Sequence, residues 1–174
     1  MAENGGLGFS SNGGSAESTG IELSSQWLIT SALSVSGAYS YNKSELTEDA
    51  PGLVEGEDAF DGDRLPGTPE NQLFLAANYE LPIRDGSHVD FDWSMTYQSN
   101  VITKVGKRDN GESLSGFAMH NISATWFKDS WSVALYADNV FDEYAETGVR
   151  GDYEDIENIA GFDSRYYFHN IARP

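Results

Sequence analysis

Between residues 89 and 98 the chain alternates without a break. Val89, Phe91, Trp93, Met95 and Tyr97 are apolar or amphipathic, and Asp90, Asp92, Ser94, Thr96 and Gln98 between them are polar. Successive side chains of an extended strand point to opposite faces, so this stretch reads as a strand with one greasy and one wet face. Residues 33–41 repeat the pattern, with Leu33, Val35, Gly37, Tyr39 and Tyr41 against Ser34, Ser36, Ala38 and Ser40. Less regular versions fall at Leu73, Leu75, Ala77 and Tyr79, and at Ile21, Leu23 and Trp27. Two more cover 117–126 and 131–141. In the first, His120, Ile122, Ala124 and Trp126 oppose Asn121, Ser123 and Thr125. In the second, Trp131, Val133 and Leu135 oppose Ser132, Ala134 and Tyr136. Helical periodicity is weak throughout. The expectation is an all-β chain of about six strands.

The connections between these strands alternate in length. Short ones lie near 28–31, 82–88 and 128–130, and long ones run over about 45–69, 99–115 and 142–170. A soluble sandwich has no reason to alternate so regularly. A transmembrane barrel does, with short turns at one membrane surface and long loops at the other. Aromatic placement fits that geometry. Trp27, Tyr79, Trp126 and Trp131 sit beside the short turns, and Tyr39, Tyr41, Tyr97, Phe141 and Tyr144 sit toward the long loops. Two such belts flanking an apolar band suit rings that prefer the headgroup level. On this reading Trp27, Tyr39, Tyr41, Tyr79, Val89, Phe91, Trp93, Met95, Tyr97, Trp126 and Trp131 face lipid or form the girdles. The competing reading is that the same rings fill the core of a soluble sandwich.

Composition narrows the field. Aromatics make up 13% of the chain, too many for a simple disordered acidic segment. No run approaches the ~20 apolar residues of a membrane-spanning helix, whereas a barrel strand needs only about 10 alternating ones. Residues 1–15 lack the basic start and apolar run of a secretory leader. A net charge of −18, from 28 acidic against 10 basic side chains, argues against nucleic acid as a partner. The acid is concentrated in the long connections. The stretch 45–63 holds eight carboxylates and no Lys or Arg, and 142–163 holds eight with one Arg. Such a mouth could attract cations, but solvation of surface loops accounts for the charge more simply.

Signs of chemistry are missing. There are no cysteines, and His88, His120 and His169 have no ligand-like spacing. Asp58, Asp61, Gly62 and Asp63 hint at a calcium loop but miss the EF-hand spacing and its closing Glu. No phosphate-binding glycine loop or nucleophile elbow occurs. Asn121-Ile122-Ser123 matches a glycosylation pattern but lies inside an expected strand. No catalytic residue, metal ligand or cofactor is expected.

Several short runs, in order, resemble the TonB-dependent outer-membrane receptor family. YADNVFDEY at 136–144 is similar to that family's N-L-F-D-x-x-Y signature through Asn139, Phe141, Asp142 and Tyr144, with Val140 in place of Leu. NGGSAESTGIEL at 12–23 resembles an earlier strand through Gly20 and Glu22. RLPGTPEN at 64–71 resembles an R-x-P-x-x-P entry to a strand through Arg64, Pro66 and Pro69. Ala172-Arg173-Pro174 resembles the start of a closing strand, although the family more often reads Pro-Arg there. The set covers nearly the whole chain.

The resemblance implies an antiparallel up-and-down meander belonging to a barrel of about 22 strands. In the family that barrel encloses a plug and sits in the bacterial outer membrane. It imports scarce nutrients such as iron–siderophore complexes or cobalamin, on energy delivered through TonB. Residues 1–174 are then expected to be a C-terminal fragment of the barrel, without plug, TonB-contacting segment or closing strand. Its partners would be outer-membrane lipid, the remainder of the barrel and plug, TonB through the N-terminal part, and a metal chelate or similar nutrient. An open six-stranded sheet of this kind would expose two edges and should aggregate alone in water. Two other functions fit the residues: a soluble acidic β-sandwich binding module, lectin-like, and a passive outer-membrane pore.

Overall fold

The computed structural model describes residues 14–54, 57–108, 111–150 and 166–169. Its strands are β1 (Ala16–Leu28), β2 (Leu33–Leu46), β3 (Ala50–Val54), β4 (Glu57–Ala59), β5 (Asn71–Pro82), β6 (His88–Gln98), β7 (Val101–Ile102), β8 (Ser113–Leu114), β9 (Phe117–Lys128), β10 (Trp131–Ala137), β11 (Glu146–Arg150) and β12 (Tyr166–His169). Six of them form one antiparallel sheet in the order β1-β2-β5-β6-β9-β10. Each is the next long strand along the chain, so the sheet is an up-and-down meander. No helix among the described residues is long and apolar enough to cross a membrane.

The register keeps the two faces separate from edge to edge. Trp27, Val35, Ala77, Trp93, Ile122 and Ala137 lie in one paired row on the apolar face. One residue away along the strands, Gln26, Ser36, Ala76, Ser94 and Asn121 form a row on the polar face. Because the side-chain period is two, a slip of one residue in any pair would put one strand's apolar set among its neighbours' polar set. The polar face is not free of apolar groups, since Phe74 and Met119 flank Thr96 there.

Among the described residues nothing covers the apolar face. Ile21, Leu23, Trp27, Phe91, Ile122 and Leu135 are all exposed, Leu135 at 74% and Phe91 at 43%. A sandwich would hide Phe91, Trp93 and Met95 beneath a second sheet. Among the described residues no sheet faces them, and the remaining strands form three small separate pairs. The buried apolar cluster lies instead in the loops, where Leu46, Ala50, Val54 and Ala59 pack with Leu65 and Val105. A wide apolar surface outside and a small core in the loops is the reverse of a water-soluble domain.

The short connections are closed by local hydrogen bonds. At 29–32 the Thr30 hydroxyl accepts from the Ala32 and Leu33 amides. At 83–87 the Ile83 amide donates to the Ser87 carbonyl at 2.8 Å. At 129–130 Asp129 takes a φ of 52°, a left-handed conformation that Asp tolerates better than most residues. Two of these turns are tied together. The Asp85 carboxylate accepts from the Ser87 hydroxyl at 2.6 Å, the Ser87 amide at 3.1 Å and Lys128 Nζ at 2.9 Å. The Ser87 hydroxyl first, then Lys128, hold its carboxyl well below the ordinary 3.8. A depressed carboxyl stabilises the fold above its unfolded pKa and loses that contribution as pH falls through the folded value. Asp85→Asn is therefore expected to lower the urea midpoint modestly at neutral pH, with the difference from wild type vanishing only in strong acid. Equal differences at neutral and strongly acid pH would refute this role for the charge.

Three expectations from the sequence need adjustment. The strand expected over 131–141 ends at Ala137, because Asn139 and Asp142 take positive φ angles of 48° and 55°. β1 and β2 run past the alternating segments, from Ala16 and to Leu46 respectively. The long connections are not plain loops: β3 pairs with β4, β7 with β8 and β11 with β12. These strands are too short and irregular to leave a periodic trace. Asn12, Gly13, the acidic stretch 151–163 and residues 172–174 lie outside the described residues, as does the His169 side chain.

Candidate functional site

The polar face and the loop end of the sheet are where groups capable of meeting a hydrophilic ligand collect. On the polar face Asp92 is held between neighbours. Asn78 Nδ2 donates to its Oδ1 at 2.8 Å, and Ser123 Oγ donates to its Oδ2 at 3.0 Å. Asp90 sits one step nearer the short turns, opposite Glu80 and Thr125. Its Oδ1 is shielded and has no hydrogen-bond partner. Gln26, Ser34, Ser36, Asn78, Ser94, Asn121, Ser123 and Tyr136, with the carboxylates of Asp92 and Asp138, surround a shallow hollow there. Most of these are neutral hydrogen-bonding groups. They can wet a water-filled space or bind a polar surface, and they form no nucleophile–base pair. Among the described residues no group of His, Asp and Glu could hold a metal ion.

At the loop end, Arg64 ties the first long loop to the second. Its Nη2 donates to the Thr68 carbonyl at 2.8 Å and to the Asn100 carbonyl at 2.9 Å, and its Nε lies 3.6 Å from Glu70. Pro66 and Pro69 follow in the exposed or half-buried lead to β5. Arg108 also crosses between the loops. Its Nε and Nη2 donate to the two oxygens of Asp63 at 2.6 and 3.0 Å, and its guanidinium lies 4.6 Å from the centre of the Phe60 ring. Arg108 foremost, helped by the Phe60 amide, holds the Asp63 carboxyl below its usual range, and Asp63 raises Arg108 in turn. Two of the acidic residues that mimicked a calcium loop are thus engaged, Asp63 with Arg108 and Asp58 Oδ1 with the Gly52 amide at 3.0 Å.

The YADNVFDEY run closes the end of β10. Asn139 is 5% exposed. Its Oδ1 accepts from the Glu143 amide at 2.9 Å, and its Nδ2 donates to the Glu143 carbonyl at 3.0 Å. The Asn139 amide donates to Asn121 Oδ1 at 2.9 Å, and the Val140 amide donates to the His120 carbonyl at 2.8 Å. Phe141 meets the His120 ring edge-on at 4.9 Å, and Trp93 Nε1 donates to His120 Nδ1 at 3.3 Å. Asp142 and Tyr144 remain exposed. Asn121, which matched a glycosylation pattern, is here a partner of the turn. Gly20 lies opposite Asn42, where a Cβ would run into the Tyr41 carbonyl oxygen, so only glycine lets β1 approach so closely. Glu22 stands exposed on the polar face opposite Ser40.

The expected girdle residues can be placed by their position along their own strands, although the pairing sets Trp27 and Trp93 in one row. Trp27, Tyr79, Val89, Phe91, Trp126 and Trp131 lie toward the short turns. Tyr39, Tyr41, Met95 and Tyr97 lie toward the loops, with Trp93 midway along β6. Sequence reasoning missed the Asp63–Arg108 and Asp85–Lys128 pairs. Each joins residues more than forty positions apart, and no local pattern marks them.

No curated protein and no solved structure was found to match the chain. The family described as "TonB dependent receptor-like, beta-barrel" matches residues 2–140. That match covers most of the chain and includes all six strands of the main sheet. The chain therefore belongs to the TonB-dependent receptor β-barrel family, a family of outer-membrane receptors and transporters rather than enzymes.

Proposed function

We propose that residues 1–174 supply six consecutive strands, from the C-terminal part, of the wall of a TonB-dependent importer for a scarce nutrient, such as an iron–siderophore complex or cobalamin. The apolar face meets hydrocarbon. Trp27, Tyr79, Trp126 and Trp131 mark one headgroup level, and Tyr39, Tyr41 and Tyr97 mark the other. The polar face looks into the lumen, toward a plug supplied by the rest of the receptor. The loops around 47–70, 99–116 and 138–150 stand outside and form part of the mouth that meets the nutrient. TonB acts through the plug and not through this segment.

One observation carries this reading: all six strands keep the same face apolar, with nothing over it among the described residues, while every long loop leaves from the same end. Among the described residues β1 and β10 are the edges of this sheet, where further strands of a barrel would pair. Binding of labelled ferric siderophores and of cobalamin to outer-membrane vesicles, with and without this protein, tests the transport reading. Saturable binding of one class, weakened when the β3–β4 hairpin is shortened, is the expected result. Uptake that is unsaturable and independent of TonB would identify a passive pore instead.

A further inference from the structure

We propose that the first two external loops form a single rim, latched by Asp63, Arg108 and Phe60, so that neither can move over the mouth without the other. The proposal deepens the transport reading, because it concerns how the mouth of that importer opens and closes.

An ion pair, a ring contact, backbone bonds and apolar packing join the two loops, beside the Arg64 bond to the Asn100 carbonyl. The bidentate Asp63–Arg108 pair is partly shielded, its side chains 15% and 27% exposed. Arg108 also covers the Phe60 ring, which adds a cation–π contact to the ion pair. Backbone bonds run both ways, from the Gly67 amide to the Ile102 carbonyl at 2.9 Å and from the Gly106 amide to the Arg64 carbonyl at 3.0 Å. Beneath them Val105, from the second loop, packs on the apolar cluster built from the first. Separating the loops would expose that cluster and leave backbone groups and an ion pair to be resolvated together, so the contacts should fail as a unit.

Gly106 shows how closely the latch is built. It has a φ of 57°, and a Cβ there would lie 2.6–3.0 Å from the atoms of the Asp63 carboxylate. A side chain at this position would be strained by the backbone and would push Asp63 off Arg108. Arg108 also lowers the Asp63 carboxyl from its ordinary value, which favours the charged partner that the latch uses. From the third long loop, Tyr167 Oη donates to Glu112 Oε2 at 2.9 Å.

Hydrogen–deuterium exchange of the protein in outer-membrane vesicles, without ligand, tests the coupling. Arg108→Ala is expected to speed exchange roughly tenfold in both 57–68 and 98–108, including the Gly67 and Gly106 amides. Gly106→Ala should do the same without removing a charge. Slow exchange in β6 reports that the sheet is intact in each variant. If a variant loosens the sheet as well, Arg108→Lys, which keeps the charge but loses the fork, repeats the comparison. Acceleration confined to 98–108 would overturn the proposal. Because no ligand is used, that failure would be distinct from a failure of the nutrient-binding experiment.

Discussion

Arginine in place of Ile122 should destabilise the protein in a bilayer by about 2–4 kcal/mol, whereas arginine in place of Ser94 should cost less than about 1 kcal/mol. Ile122 stands midway along β9 on the apolar face, beside Trp93 and Ala137, and is 45% exposed. A guanidinium there must enter hydrocarbon or drag water and headgroups toward it. Ser94, on the neighbouring strand, points to the other face between Ala76 and Asn121. In a water-filled lumen an added charge remains solvated. The comparison is made by urea unfolding of protein refolded into lipid vesicles.

Ile122→Trp separates lipid from a protein interior. Fluid acyl chains rearrange around a larger ring, so little change is expected. A close-packed core would lose about 1–3 kcal/mol to overpacking. A large loss with tryptophan, or equal losses with arginine at 122 and 94, would show that the apolar face meets protein.

Asn139→Ala should be nearly as damaging, at about 2–4 kcal/mol. Three effects combine. The Glu143 amide and carbonyl each lose the bond to the Asn139 side chain in a half-buried turn. Alanine is also poorly suited to the left-handed φ of 48° that asparagine tolerates. Finally, the turn positions Phe141 against His120, which in turn accepts from Trp93. Loosening the end of β10 therefore reaches the middle of β6. Asn139→Asp should lose less, since it still accepts from the Glu143 amide while forfeiting the donor to the carbonyl. Unfolding midpoints in vesicles and protease sensitivity near 138–146 measure both variants. A loss under about 0.5 kcal/mol for alanine would mean that the asparagine is present for a reason other than this turn.

The position of Asn139 in a recurring motif was visible in the sequence, but its work was not. The run YADNVFDEY contains no hint that Asn121, eighteen residues earlier, would accept from the Asn139 amide. Arg64 is similar. Its spacing to Pro66 and Pro69 marked the segment, yet its reach to Asn100 depends on how the second loop returns. For Arg108 there was not even a motif. Eight carboxylates in 45–63 could have paired with it equally well on charge alone, and only the folded loops select Asp63.

What the sequence settled alone is whatever depends on neighbours two residues apart. Alternation is a local property of the extended backbone, so the strands, their two faces and the side to which Phe91, Ile122 or Ser94 points could be read directly. Short turns pair β1 with β2, β5 with β6 and β9 with β10, whereas the pairing of these hairpins with one another, β2 with β5 and β6 with β9, crosses the long loops and was decided by the tertiary structure. The tertiary structure decided the interior of the long loops: the small hairpins, their buried cluster and the ion pair that binds one loop to the next. Those contacts join residues tens of positions apart, and their selection rests on chain closure and mutual fit. Neither leaves a periodic mark in the sequence.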